Sequence, residues 1–402
     1  MPVPRFDIDL TESQRRVRES IEAICDDFDH EYWRRHAREE TYPHEFVDAL
    51  AAEGWLGVLI PESYGGKGLG TPETVVMMEE IAASGAGFGG AQTIHGGIYN
   101  SPPLVKNASP DRKETLLPKI ARGEVSIQAF GLTEPEAGSN APSMETFARR
   151  EGDEYVVSGE KMWISRVDVS DYMLLVARTS PKSAVDKRTR GISTFLVDLD
   201  DARSQGRLDK EPIEKSASTF VNSYRLIFDD LRVPAENLIG EEGAGFYQVL
   251  DGLNEERLVI AAELIGMAEL ALSKGAEYAT DREIFDQPIG ANQAIQHPLA
   301  AAHAEVQAAR QVTYEAASRS AEDSLDRESL GARANAAKYL AANAASSAAD
   351  AAVQAHGGKG IAVEYDVERY FREARLSRLV PIAQELALNY IGERELGLPR
   401  SY

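Results

Sequence analysis

Apolar positions along this chain change their period twice, and the three regimes set the expected architecture. Up to about residue 125 they recur every three or four residues, the spacing of a buried helix face. Thr11-Glu12-Ser13-Gln14 reads as a capping box ahead of Val17, Ile21, Ile24 and Phe28. Pro43 opens a second helix through Phe46, Val47 and Leu50 that stops at Gly54, and Thr71-Pro72-Glu73 opens a third, running through Val75, Met78 and Ile81 to Gly85. A glycine-rich loop, 59–68, lies between them. From about 126 to 235 the period falls to two, with short β-rich runs at 155–157, 173–177, 192–197 and 224–228. The charged segments 180–190 and 203–215 read as loops between these strands. From about 241 the helical period returns, with thirteen alanines between Ala332 and Ala355 that let helices pack closely. The expectation is a mostly α protein with a central antiparallel β-domain: a helical domain over 1–125, a β-domain over 126–238 and a helical bundle over 239–402. A large ligand is expected at the interfaces between these layers.

Composition narrows the function classes. The 402 residues carry 65 acidic and 43 basic side chains, a net charge of −22 that repels phosphate backbones and argues against nucleic-acid binding. Only 12 of the basic residues are Lys against 31 Arg. Scarce Lys with abundant carboxylates suggests a surface adapted to high salt; an ordinary acidic cytoplasmic enzyme is the other reading. One cysteine, Cys25, excludes an intrachain disulfide, and with seven scattered His it gives no metal-ligand cluster of familiar spacing. No run approaches the roughly 18 apolar residues of a membrane span, and the start MPVPRFDIDL lacks a basic-then-apolar leader, so a soluble cytoplasmic protein is expected.

The hexapeptide Gly85-Ala86-Gly87-Phe88-Gly89-Gly90 fits the spacing of a dinucleotide fingerprint, but that motif needs a strand before it. A helix precedes it here, so it reads as a helix-terminating turn. No P-loop, GxSxG elbow or HExxH is present. The strongest local signal is Phe130-Gly131-Leu132-Thr133-Glu134-Pro135-Glu136-Ala137-Gly138-Ser139 followed by Gly159-Glu160-Lys161-Met162-Trp163-Ile164-Ser165. With Pro61-Glu62-Ser63-Tyr64-Gly65-Gly66, Phe228-Asp229-Asp230-Leu231-Arg232-Val233-Pro234 and Gln354-Ala355-His356-Gly357-Gly358-Lys359-Gly360, these linked motifs resemble the flavin-dependent acyl-CoA dehydrogenases over nearly the whole chain.

That resemblance implies a helical domain, a β-barrel-like domain and a C-terminal four-helix bundle, an FAD cofactor, and oxidation of an acyl-CoA thioester to the trans-2-enoyl-CoA, as in fatty-acid β-oxidation. Electrons would pass to an electron-transfer flavoprotein, and the assembly would be a homotetramer. It implies that Trp163 covers a flavin face, and that Thr133, Ser165, Phe130 and the backbone of Leu132 and Ile164 meet the ring edge. Ser139 would meet cofactor and acyl chain; Arg282, Phe285, Gln293, Gln354, Gly357 and Gly358 would serve the phosphate and adenosine half of FAD from a neighbouring subunit. A flavin monooxygenase or nitroalkane-oxidase-like enzyme on the same scaffold, or a flavin-binding protein without catalysis, are the rival readings.

Two positions depart from the family pattern. Arg166-Val167 stand where Asn then Gly or Ala usually follow the Trp-Ile strand, and the turn that usually supplies the catalytic glutamate falls on Val380-Pro381-Ile382-Ala383. A minority branch, with isovaleryl-CoA and long-chain acyl-CoA dehydrogenases, carries its glutamate just before an Arg in the first long helix of the last domain. Glu256-Arg257 stand there, which makes Glu256 the expected base and Arg257 a substrate contact. Phe246, Val249, Leu250, Leu253, Ile260 and Leu264 form an apolar stripe with Glu256 in its middle, while Glu255 falls on a more polar side. A structural ion pair is the alternative for Glu256.

Overall fold

The computed structural model describes residues 3–322 and 326–400, the side chains of residues 250 and 251 excepted. Six helices come first: α1 (Glu12–Cys25), α2 (His30–Glu39), α3 (His44–Ala52), α4 (Thr71–Ile81), α5 (Gly87–Asn107) and α6 (Pro110–Ala121). The predicted capping box is formed, Gln14 N–H donating to Thr11 Oγ1 at 3.2 Å and Thr11 N–H to Gln14 Oε1 at 2.9 Å. Three of these helices were not marked by periodicity. α2 is a charged segment with a single large apolar anchor, Trp33, sealed against Phe46, and its start is capped by Asp29.

α5 contains five glycines and two prolines, a composition that disfavours an isolated helix. Here tertiary packing overrides propensity, because the missing side chains let neighbours approach. A Cβ on Gly89 would strike Glu373, one on Gly90 would meet Trp33, and one on Gly96 would run into the Gln128 carbonyl and the Arg166 guanidinium. The glycine hexapeptide therefore sits at a helix-to-helix turn, with Gly85 and Gly87 at positive φ and no strand before it.

The middle of the chain forms β1 (Ala129–Gly131), β2 (Phe147–Glu151), β3 (Glu154–Ser165), β4 (Tyr172–Arg178), β5 (Ile192–Asp198), a short α7 (Leu199–Ser204), β6 (Leu208–Pro212), β7 (Ser223–Pro234) and β8 (Leu238–Ile239). The sheet order is β6-β7-β3-β2-β4-β5-β8, with β1 alongside β4. Pairing is antiparallel except where β1 and one residue of β2 meet β4. The segment expected to be a loop over 203–215 contributes the end of α7 and all of β6; its exposed edge position explains the charged, weakly alternating sequence.

The last part holds α8 (Gly245–Asp281), a small hairpin β9 (Glu283–Ile284) and β10 (Gln287–Pro288), then α9 (Gln293–Ser320), α10 (Arg327–His356), α11 (Val367–Ser377) and α12 (Gln384–Arg394). The alanine run lies in α10, where twelve of its alanines are buried against the other helices. α8 is the axis of the molecule: from Leu258 to Leu272 every residue is buried, so this helix is enclosed on all sides rather than amphipathic. Among the described residues, no helix is long and apolar enough to cross a membrane.

Candidate active site

The first half of the site is a loop on the β-domain, and one buried ion pair builds it. The Lys161 ammonium on β3 donates to Glu134 Oε1 at 2.8 Å and to the Leu132 carbonyl at 2.9 Å. Glu134 in turn accepts the backbone N–H groups of Glu145 (2.6 Å) and Thr146 (3.0 Å), and Met162 N–H donates to the Thr133 carbonyl at 2.8 Å. The loop 132–139 and the strand 161–165 are thereby bolted together. Burial pushes the Lys161 amine down to about 8 although Glu134 opposes it. Burial also pushes the Glu134 carboxyl up, but Lys161 and the N–H donors more than offset this and leave it below the ordinary range.

The outward face of this loop fits a large flat ligand. Trp163 sits at positive φ with 53% of its side chain exposed, unusual for an indole and suited to covering a ring. Thr133 is half-buried, and its hydroxyl makes no hydrogen bond within the described residues. Ser139 is exposed next to Gly138, where an added Cβ would meet nothing within 4 Å. Ser165 Oγ shares a hydrogen bond with Ser223 Oγ at 2.9 Å, Ile164 is buried and paired in register with Tyr224, and Phe130 is half-buried. The Leu132 carbonyl is already engaged by Lys161, so only its N–H remains for a ring edge.

The second half comes from α8. Phe246 and Val249, with Leu253 beside them, pack with Phe130, Leu132 and Ala137 of the loop, whereas Ile260 and Leu264 lie in the main helical core. The predicted stripe is real but spans two cores, and Glu256 lies at the seam; the Leu250 side chain lies outside the described residues. Glu256 Oε1 faces His95 Nε2 of α5 at 3.4 Å, and the opposite ring nitrogen, Nδ1, faces Glu263 Oε1 at 2.7 Å. Gln92 Nε2 donates to Glu263 Oε2 at 2.6 Å, and Arg166 Nη1 donates to the Gln92 carbonyl at 2.6 Å. Exposure rises along this chain of contacts from 0% at Glu263 to 6% at His95 and 17% at Glu256. Burial pushes the imidazole down, but Glu263 and Glu256 push harder the other way and bring it up to about 9.

Glu255 does not occupy a solvated face. It is half-buried, and its carbonyl accepts from the Tyr99 hydroxyl at 3.4 Å. The expected polar side is missing because α8 becomes enclosed just beyond it, with every residue from Leu258 to Leu272 buried. Arg257 is half-buried and bonded to Asn254 Oδ1 at 2.8 Å, within reach of the charges of Tyr390 and Arg327. It thus turns toward α10 and α12 while Glu256 turns toward α5. The turn at Val380-Pro381-Ile382-Ala383 supplies no carboxylate; its Ile382 carbonyl is held by the buried Lys338 ammonium at 2.7 Å.

Arg282, Phe285, Gln293, Gln354, Gly357 and Gly358 gather at the other end of α8 and are all exposed, Phe285 by 91%. Tyr278 stacks on His356 with ring centroids 4.3 Å apart, which ties the α10 terminus to this end of α8. An added Cβ on Gly357 or Gly358 would meet nothing within 4 Å, so the backbone there borders open space. The 26 helical steps from Glu256 to Arg282, the C-cap of α8, span roughly 39 Å.

Sequence reasoning missed His95, Gln92, Glu263 and the inward turn of Arg166. Glu263 had a signal, being a lone acid in an apolar run two helical turns beyond Glu256; His95, within a glycine-rich segment, had none.

Three family models match the chain: the N-terminal domain of acyl-CoA dehydrogenase over residues 11–124, its middle domain over 129–231 and its C-terminal domain over 243–396. Among curated relatives, acyl-CoA dehydrogenase FadE12 of Mycobacterium tuberculosis is 36% identical over 392 residues, covering 98% of each chain. Among solved structures, a glutaryl-coenzyme A dehydrogenase bound to glutaryl-CoA superposes with a TM-score of 0.89 at 28% identity, covering 98% of both chains. Butyryl-CoA dehydrogenase from Megasphaera elsdenii gives a TM-score of 0.88 at 28% identity, covering 97% of this chain and 100% of that one.

Proposed function

This chain belongs to the acyl-CoA dehydrogenase family, whose members are FAD-dependent oxidoreductases, and from that premise we propose that it converts an acyl-CoA thioester to the trans-2-enoyl-CoA with Glu256 as the base. The observation that carries the reading is the position of Glu256: a partly open carboxylate on α8, between the residues that pack on the β-domain loop and those in the main helical core, in a chain whose more usual base turn holds Pro381.

When bound, FAD supplies the acceptor for the β-hydride. The chain's own residues do the remaining work. Trp163 covers the ring face, Thr133 and Ser165 with the Leu132 N–H meet its edge, Phe130 and Ile164 line it, and Ser139 faces the acyl chain. Glu256 takes the α-proton: the α-carbon–hydrogen bond breaks, its electron pair moves into the forming double bond, and the proton rests on a carboxylate oxygen. Holding the thioester against that oxygen turns proton removal into a unimolecular event, which is a large share of the rate. Arg257, bonded to Asn254, is assigned to the substrate's CoA side.

The exposed end of α8 supports a site shared between subunits. Arg282, Phe285, Gln293, Gln354, Gly357 and Gly358 are exposed at the far end of α8 from Glu256, and we assign them to the phosphate and adenosine half of FAD held by a neighbouring copy, in a homotetramer. Electron-transfer flavoprotein is the proposed acceptor. The proposed division of labour gives flavin-edge and substrate recognition to 126–238 and base, adenosine contacts and subunit interface to 239–402, with 1–125 as the N-terminal helical domain.

The test is anaerobic flavin bleaching by acyl-CoA thioesters of graded chain length and branching, with product analysis for the 2-enoyl-CoA. Bleaching with enoyl-CoA formation supports the reading. Turnover that proceeds only with oxygen and yields an oxygenated product rejects it.

A further inference from the structure

Glu256 does not stand alone, and the side chains behind it form a graded series that proton removal by itself would not require. Glu256 and Glu263 are seven residues apart on one face of α8, and Gln92 and His95 are three apart on one face of α5, so two helix surfaces present a matched set. A carboxylate without a proton can only accept, so His95 Nδ1 is the donor in its 2.7 Å contact with the fully buried Glu263. That fixes the ring plane and aims Nε2 at Glu256 Oε1, 3.4 Å away. Glu263 is itself held by Gln92 at 2.6 Å, and the backbone of Gln92 is held by Arg166 at 2.6 Å. Within the described residues Glu256 Oε2 makes no hydrogen bond, so one oxygen is tethered and the other is left for substrate.

We propose that His95, anchored by Glu263, is the positioning residue that sets the rotamer and aim of Glu256. This rests on Glu256 being the base. The arrangement follows the logic of a buried acid orienting an imidazole that in turn orients a reacting group, with the reacting group here a carboxylate. Arg166 takes part from the far side. Its charge acts through space on both carboxylates while its hydrogen bonds go to the Gln92 and Gln128 carbonyls, and Gly96 supplies the space its guanidinium needs. The other ionisable groups near the ring are Tyr99 on α5, whose ring centroid lies 4.7 Å from that of His95, and Tyr42, beside Arg166. The departure from the family pattern at residue 166 thereby acquires a role as the outermost member of the chain that ends at the base.

The experiment is a double-mutant cycle on the FAD-loaded enzyme, read by anaerobic stopped-flow flavin reduction with butyryl-, isovaleryl- and octanoyl-CoA as probes. His95→Leu is expected to slow reduction about 100-fold, the cost of a misaimed reacting group, while FAD content and the dissociation constant for acyl-CoA change less than two-fold. His95→Gln, which keeps a donor, is expected to recover about ten-fold of that loss. In a Glu256→Gln background His95→Leu is expected to add no further slowing, because the group it aims is gone. Should His95→Leu not fold, Glu263→Gln takes its place with the same expected slowing and the same silence in the Glu256→Gln background. A wild-type rate in His95→Leu, or equal slowing in both backgrounds, overturns the positioning role and leaves the base assignment standing. Wild-type reduction by Glu256→Gln instead overturns the base assignment first.

Discussion

The two ends of α8 solve opposite problems. Around Glu256 the contacts are made within one chain: Glu263 bonds His95 and Gln92 of α5, His95 reaches Glu256, and Arg166 of the turn after β3 holds the Gln92 carbonyl. Around Arg282 it is unfinished, with an exposed hairpin, a fully exposed Phe285 and glycines facing open space. Burial at the first end explains how a charged cluster can sit among apolar side chains, since two cations balance two carboxylates and the hydrogen bonds replace lost water. Exposure at the second is costly for an isolated chain and sensible for a surface completed by another copy. One helix thus joins an end whose polar groups are closed within the chain to an end that, in the proposed reading, a second copy completes.

That contrast breaks first at Glu256. Glu256→Gln should lower the flavin-reduction rate by about 10²–10⁴-fold while FAD and acyl-CoA still bind, and Glu255→Gln should leave reduction in place; single-turnover kinetics check both. Next comes the pH dependence of the closed end. An imidazole raised from 6.5 to about 9 in the folded state contributes stability that is fully present below pH 6.5 and is lost as pH rises through about 9. The contribution is on the order of 3 kcal/mol, so denaturant melts should show wild type losing stability over that window and His95→Leu losing much less.

The open end is tested by Arg282→Ala, which removes the proposed charge-assisted contact to phosphate and should weaken FAD retention roughly ten- to hundred-fold without changing the melting temperature of the apoprotein. Gly96→Ala should destabilise by about 1–3 kcal/mol, because the added methyl meets the Gln128 carbonyl and displaces Arg166; urea unfolding measures it. The smallest expected effect is on the whole surface. With a net charge of −22, carboxylate repulsion should relax as the Debye length falls to roughly 3 Å at 1 M salt, so the melting temperature should rise by a few degrees across a KCl series. A flat or falling curve would leave the ordinary acidic reading in place.

Much of this was legible before any coordinates. The capping box before Val17, the alternation from 155 to 228, the alanine run and the paired motifs at 130–139 and 159–165 are local patterns, and local patterns report local structure. The pairing of those motifs even had a physical cause visible in their residues, since Lys161 and Glu134 are the charges that join them. Glu256 was picked out for an incomplete reason. Its place on an apolar stripe distinguishes a face only where a helix has an exposed side, and α8 has none from Leu258 to Leu272.

What tertiary structure decided is everything that depends on which helix lies against which. α5 is helical against the preference of its five glycines because Trp33, Glu373, Gln128 and Arg166 press into the space they leave. His95 meets Glu256 from 161 residues away, Arg166 reaches Gln92 across 74, and no period along the chain encodes either meeting. The sequence by itself determined the family and most of the elements, α2, α5, α6 and β6 excepted, because those rest on residue types and short spacings. The site's inner half was set only when packing brought distant polar groups together out of water, where each had to find a partner.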